Sequence, residues 1–189
     1  MVGNTPNYTK LDVLRCFLQL DAKVSRQQLA KRLELGEGTI RSILDILKAK
    51  GLIVANNQGH VLGSKGIEVI KGLKQLMDIR EVNLKLYPKL KIVAIALKTT
   101  TKITIGHRDL AVKAGAEGAI ITYIKDGKLE QYDKSLHQDF EMLEKQIALH
   151  NGVLIIAFST MLRSSENAGL SVALDMSKEL GSIFTSSFT

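Results

Sequence analysis

The stretch Val24-Ser25-Arg26-Gln27-Gln28-Leu29-Ala30-Lys31-Arg32-Leu33, continued by Glu34-Leu35-Gly36-Glu37-Gly38-Thr39-Ile40-Arg41, decides how the first part of the chain folds. Ser25 stands three residues before Gln28, the spacing of a capping box, in which the hydroxyl takes a free N–H of the first turn and the glutamine reaches back. A short helix over about 26–33 is predicted, with Leu29, Ala30 and Leu33 facing inward. Leu35-Gly36-Glu37-Gly38 reads as a tight, glycine-bearing break. Beyond it Ile40, Ile43, Leu44 and Leu47 fall at i, i+3, i+4 and i+7, so a second, longer helix runs to Lys50 with one apolar stripe. Its other face carries Thr39, Arg41, Ser42, Asp45 and Lys48.

Working outward, Leu11, Leu14 and Leu18 with Phe17 give a preceding amphipathic helix over 10–20. On the other side Gly51 stops the long helix, Leu52–Ala55 is strand-like, Asn56-Asn57-Gln58-Gly59 is a turn and His60–Leu62 returns. Ser64 opens a fourth helix in which Ile67, Ile70, Leu73 and Met77 keep helical spacing to about Asp78. Three helices with a hairpin after the third describe a winged helix-turn-helix, whose third helix can enter a major groove while the hairpin is the wing.

The charge supports that geometry. The net charge is +7. Residues 1–80 hold 13 Lys and Arg against 7 Asp and Glu, whereas residues 81–189 are nearly balanced. An excess of this kind concentrates polyanions near the surface, nucleic acid being the commonest. Apolar residues make up 45% and charged residues 24%, which excludes a disordered chain. No apolar run reaches membrane-spanning length and Met1–Thr9 is polar rather than signal-like, so a cytoplasmic location with no membrane partner is expected. The single cysteine, Cys16, allows no intrachain disulfide and no thiolate metal site.

Four segments in order, Val24–Ala30, Gly36–Arg41, Leu47-Lys48-Ala49-Lys50-Gly51-Leu52-Ile53 and Gly59-His60-Val61-Leu62-Gly63-Ser64-Lys65-Gly66, resemble bacterial and archaeal winged-helix repressors. The whole chain also resembles an uncharacterised archaeal family of winged-helix proteins with a small α/β C-terminal domain. The resemblance implies double-stranded DNA as the partner and transcription regulation as the role. By chemistry, Thr39, Arg41 and Ser42, beside Gly38 at the start of the third helix, are candidates for base edges, Arg41 for a bidentate contact with guanine. Ser25, Arg26 and Gln27, with Lys48 and Lys50, are candidates for phosphate contacts that set register. Asn57, Gln58 and His60 are placed on the wing, toward the adjacent groove. The competing roles are an Arg41–Asp45 salt bridge on a solvated face and His60 as a turn residue. Glu37 stands nearby with the wrong sign for phosphate.

From Glu81 the pattern changes to strands alternating with helices. Val82, Leu84 and Leu86 alternate, Leu90–Leu97 is a buried-type strand, and His107–Gly115 is a short helix. Ala119–Ile124 and Leu129–Tyr132 flank Asp126-Gly127, a hairpin signal. Ser135 and Gln138 form another capping box ahead of a helix carrying Leu136, Phe140, Leu143 and Ile147. Val153–Phe158 is a further strand, and Ser164 or Ser165 opens one last helix with Leu170, Leu174 and Leu180. The fold class expected is α+β: a winged helix-turn-helix domain over residues 1–80, then a small α/β domain with a mixed sheet over residues 81–189, for effector sensing or dimerisation.

Nothing in the sequence points to an enzyme. His60, His107, His137 and His150 have no metal-ligand spacing, and nucleophile elbow, Walker loop and dinucleotide fingerprint do not occur. No cofactor or metal is expected. Thr99, Thr100 and Lys102, followed by His107, Arg108 and Asp109 at a helix start, form a candidate site for a small anionic effector. Their competing reading is a polar strand edge with Asp109 complementing the helix dipole. The resembling archaeal family implies an Arg-Asp pair here, which supports Arg108 and Asp109. A homodimer is expected because two half-sites supply affinity that one small module lacks. The alternatives are a winged-helix protein-interaction scaffold without DNA readout and a small-molecule enzyme in the second domain.

Overall fold

The computed structural model describes residues 7–21, 24–56, 59–130 and 134–189. By packing, the chain divides into two units, residues 1–73 with 182–189, and residues 74–181. The fold is α+β, with helices and a β-hairpin in the first unit and a five-stranded sheet with helices in the second.

Helix α1 (Lys10–Gln19) opens on a capping box in which Thr9 and Asp12 exchange hydrogen bonds. Helix α2 (Arg26–Leu33) opens on the expected one: Ser25 Oγ accepts from the Gln28 N–H at 3.2 Å and Gln28 Oε1 from the Ser25 N–H at 2.9 Å. Helix α3 (Glu37–Ala49) buries Ile40, Ile43, Leu44 and Leu47, the whole predicted stripe. The break before it is made differently from the glycine turn expected. Glu34, not a glycine, takes the left-handed conformation at φ 55°, and Gly36 is extended. The Leu35 N–H then returns to the Ala30 carbonyl and closes α2. Strands β1 (Ile53–Asn56) and β2 (Gly59–Leu62) pair antiparallel as the wing, Asn56 opposite Gly59. Helix α4 runs Ser64–Leu76, two residues shorter than expected, because Met77 opens a strand.

A buried ion pair ties α1 to α2. The Arg15 guanidinium donates to Asp12 Oδ1 at 2.8 Å and to the Leu33 carbonyl at 3.2 Å, with both side chains at most 1% exposed. Leu33 is the last residue of α2, where a helix carbonyl has no partner of its own. Asp12 meanwhile accepts from the Thr9 N–H, so one carboxylate serves the start of α1 and holds the cation that ends α2. Beside it Cys16 is buried, and burial pushes its thiol up to about 12, so it packs as an apolar group.

The end of the chain belongs to this unit. Helix α8 (Lys178–Phe188) brings Phe188, buried, against Phe17 with ring centroids 5.2 Å apart, and seats Ile183 where Gly72 leaves room on α4.

In the second unit β3 (Met77–Val82), β4 (Lys91–Leu97), β5 (Gly118–Lys125), β6 (Lys128–Leu129) and β7 (Gly152–Ser159) lie in the order β3-β4-β7-β5-β6. A mixed sheet is the expectation from sequence; every pairing described is antiparallel. The physical reason is insertion. Strands β4 and β5, joined through helix α5 (Ile105–Lys113), run in the same direction but do not touch, because β7 lies between them and pairs with both. That central strand carries a continuous apolar run, with Val153–Ala157 fully buried. Helices α5 and α7 (Leu162–Met176) pack with the sheet and with each other. Helix α6 (His137–Glu144) packs Phe140 and Leu143 into a cluster with Ile92, Ala94, Leu154 and Ile156.

Asp126 and Gly127 make the tight turn read from sequence, both at positive φ, between the paired Lys125 and Lys128. Strand β6 ends at Leu129; Tyr132, expected to continue it, lies outside the described residues. Glu144 anchors the hairpin, accepting from the Leu129 N–H at 2.9 Å and from Lys128 Nζ at 2.8 Å. Burial alone would raise its carboxyl; those bonds outweigh it and hold the group below its ordinary value. The Ser135–Gln138 box does not form. Ser135 lies in a 3-10 turn (Lys134–Leu136), and Leu136 is the cap residue of α6. The single last helix predicted is two, broken at Ser177, whose extended backbone ends α7 and whose Oγ accepts from the Leu180 N–H in α8. Val82 closes β3, so Leu84 and Leu86 lie in the following loop.

Removing the buried guanidinium takes the Arg15 cation away from the buried Asp12 carboxylate. Arg15→Met is therefore expected to cost about 3–5 kcal/mol in urea unfolding. A loss below about 1 kcal/mol would show that the pair contributes little.

Candidate functional site

The exposed face of α3 carries Gly38, Arg41, Ser42, Asp45 and Lys48, with Thr39 half-buried at its edge. This face exists because the buried apolar residues, Ile40, Ile43, Leu44 and Leu47, share the opposite side of the helix, which packs with α1 and α2. The helix starts at a glycine cap with no side-chain cap bond, so no neighbouring side chain satisfies the N–H groups of the first turn through that residue. Nothing stands within 4 Å of where a Gly38 Cβ would be, which leaves the backbone open to close approach. Ser42 Oγ donates to the Gly38 carbonyl at 3.2 Å, which fixes the hydroxyl along the helix. Arg41 is exposed, and no ion pair joins it to Asp45 among the described residues.

Arg26 and Gln27 are exposed on the first turn of α2, and Ser25 is exposed while serving as its cap. Lys31 and Arg32, exposed at the other end of α2, add cations that the sequence reading left out. Lys48 is exposed; Lys50 is half-buried, and its carbonyl accepts from Lys65 Nζ. His60 is half-buried on β2 opposite Ala55. Asn57 and Gln58 lie outside the described residues.

The candidate effector residues are not brought together. Thr99 and Thr101 both donate to the Met176 carbonyl, at 2.9 and 2.7 Å, and so close the C-terminus of α7. Thr99 and Thr100 border a pocket of about 820 Å³ that also meets Lys98, Lys125 and Lys178. Lys102 and Arg108 border a different pocket, of about 640 Å³. His107 is buried: its Nδ1 accepts from the Thr104 N–H at 3.0 Å and its Nε2 lies 3.5 Å from Asp175 Oδ2. With one ring nitrogen accepting and the other facing a carboxylate, it ties the start of α5 to α7. Asp109 is exposed and borders neither pocket; no ion pair joins it to Arg108, as expected of neighbours at i and i+1.

The wall of the 640 Å³ pocket is built by distant residues. The buried Asp139 carboxylate on α6 accepts from the Lys85 and Leu86 N–H groups at 2.8 and 3.2 Å, fixing the loop after β3. That holds Tyr87 stacked on Phe158, ring centroids 4.4 Å apart and planes 18° from parallel. The Phe158 ring in turn lies over Gly118, where a Cβ would come within 2.7 Å of it. So the Gly115–Gly118 stretch serves packing: Gly115 follows α5 at positive φ and Gly118 makes room for the ring. No cluster of His, Cys, Asp or Glu able to hold a metal occurs among the described residues. No helix among them is long and apolar enough to cross a membrane.

Residues 9–77 match the model of the CggR N-terminal DNA binding domain. In fold and in sequence, the first unit is thus similar to the DNA-binding domain of a regulator. Residues 88–176 match a family described as Domain of unknown function (DUF4443). A solved structure, the hypothetical protein PH0730 from Pyrococcus horikoshii OT3, is 26% identical and superposes with a TM-score of 0.77 over 94% of this chain and 100% of that one. No curated protein matches the chain significantly.

The wall of the pocket depends on Asp139. In Asp139→Ala the Lys85 and Leu86 amides are expected to lose protection from hydrogen exchange while the amides of β7 keep theirs, with a stability loss of about 1–3 kcal/mol. Unchanged protection at both amides would show that the loop is held by other contacts.

Proposed function

We propose that the protein is a DNA-binding transcription regulator that reads duplex DNA with the helix Glu37–Ala49 and steadies itself on the wing, the second unit serving ligand sensing or dimerisation. The observation that carries this reading is the exposed Arg41 on the outer face of α3, with no ion-pair partner among the described residues, in a frame that matches a DNA-binding domain model over residues 9–77. A planar guanidinium with free donors suits guanine O6 and N7, and a helix with one buried stripe can lie in the major groove. Arg26, Lys48 and Lys50, with Lys31 and Arg32, supply the charge that meets phosphates. Asp45, on the same exposed face, can accept from a cytosine amino group but repels phosphate, so it belongs over the bases rather than the backbone. A homodimer on two half-sites fits this reading, because one module of this size binds weakly alone.

The test uses the full chain, since residues 182–189 pack with the first unit and a fragment ending near residue 80 would lack them. Fluorescence anisotropy with genomic duplex is expected to show binding that weakens by about a thousandfold as salt rises from about 50 to about 200 mM. Lys48→Ala is expected to weaken all duplexes alike and to lower the salt slope by about one for each chain bound. Absence of salt-sensitive binding overturns the reading in favour of a protein-interaction module.

A further inference from the structure

The 640 Å³ pocket of the second unit is within the size range of small-molecule sites, and its chemistry is one-sided. Leu86, Tyr87, Leu136 and Phe158 line it together with Ile120 and Ile121 from β5. Ile103 and Ile105 add apolar surface, and Ile105, 76% exposed, sits as a large aliphatic side chain with no core to enter. An aliphatic residue left that exposed at the mouth of an apolar pocket is surface available to a ligand. The only charged side chains among the described lining residues are Lys102 and Arg108. Both are exposed, and among the described residues neither has an ion-pair partner and no carboxylate lines the pocket beside them. An apolar chamber with two unneutralised cations complements a ligand with an apolar body and one anionic end.

We propose that this pocket binds a small amphipathic carboxylate, its apolar body against the Tyr87–Phe158 wall and Ile120, its carboxylate held by Lys102 and Arg108. The site is distinct from Thr99 and Thr101, whose hydroxyls are taken up by the Met176 carbonyl. A free phosphate or a sugar phosphate would leave the apolar wall dry and unmatched, and a neutral hydrocarbon would leave both cations without a partner. The proposal deepens the sensing role given to the second unit and rests on it. Binding is read without DNA, so its failure and that of the DNA-binding reading are separable.

Calorimetric titration of the full chain with three probes tests it: 2-naphthoate, 2-naphthalenemethanol as the same ring without charge, and inorganic phosphate as charge without a ring. One 2-naphthoate is expected to bind per chain, the alcohol about tenfold or more weaker, and phosphate without measurable heat. In the double variant Lys102→Ala, Arg108→Ala, whose exposed side chains leave the melting temperature unchanged, 2-naphthoate should fall to the affinity of the alcohol. Ile105→Glu, which removes apolar surface at the mouth and puts a negative charge there, should weaken 2-naphthoate more than the alcohol. Equal affinity for the acid and the alcohol, binding of phosphate in place of 2-naphthoate, no binding of 2-naphthoate, or a double variant that binds it as the wild type does would each overturn the proposal.

Discussion

One buried guanidinium determines how the first unit presents its outer helix. Arg15 joins the Asp12 carboxylate to the last carbonyl of α2, and Asp12 also caps α1. A charge taken out of water is tolerated only when such partners replace its hydration, so the pair constrains geometry more than it adds stability. Because α1 and α2 are set by it, and α3 packs its Ile40–Leu47 stripe on both, the direction of the exposed Arg41 face follows from an interaction on the other side of the unit.

The second unit depends on a different constraint, the insertion of β7 between β4 and β5. A strand buried on both faces and paired on both edges can be wholly apolar, and Val153–Ala157 is. At its end Phe158 leaves the buried run and stacks with Tyr87, so the strand that organises the sheet also supplies a wall of the pocket. Asp139 holds the opposing loop from α6. Pocket shape is thus set by core elements, while its two cations come from the segment between β4 and β5.

Local physics was legible in the sequence where it acts over a few residues. The Ser25–Gln28 box, the apolar stripe of α3 and the Asp126-Gly127 turn each follow from spacing alone, and each stands as read. The same rule fails at Ser135 and Gln138, where α6 is entered through a 3-10 turn and packing of Leu136 and Phe140 decides where the helix starts. Glu34 likewise takes the left-handed turn position although Gly36 stands two residues away. What could not be read was contact between distant segments. Thr99 looks like part of an anion site until Met176 is seen to claim its hydroxyl, and Tyr87 and Phe158 carry no mark that they meet. The return of residues 182–189 to the first unit is of the same kind.

The proposed function requires α3 to read base edges from the major groove through Arg41. Methylation interference on a duplex selected by the full chain tests this most directly, because a methyl on guanine N7 blocks a bidentate arginine contact without altering the phosphates. Methylation of one guanine in each half-site is expected to block the wild-type chain and to have no effect on the residual binding of Arg41→Ala. An interference pattern identical in the two proteins, or no interference at any guanine, would contradict it.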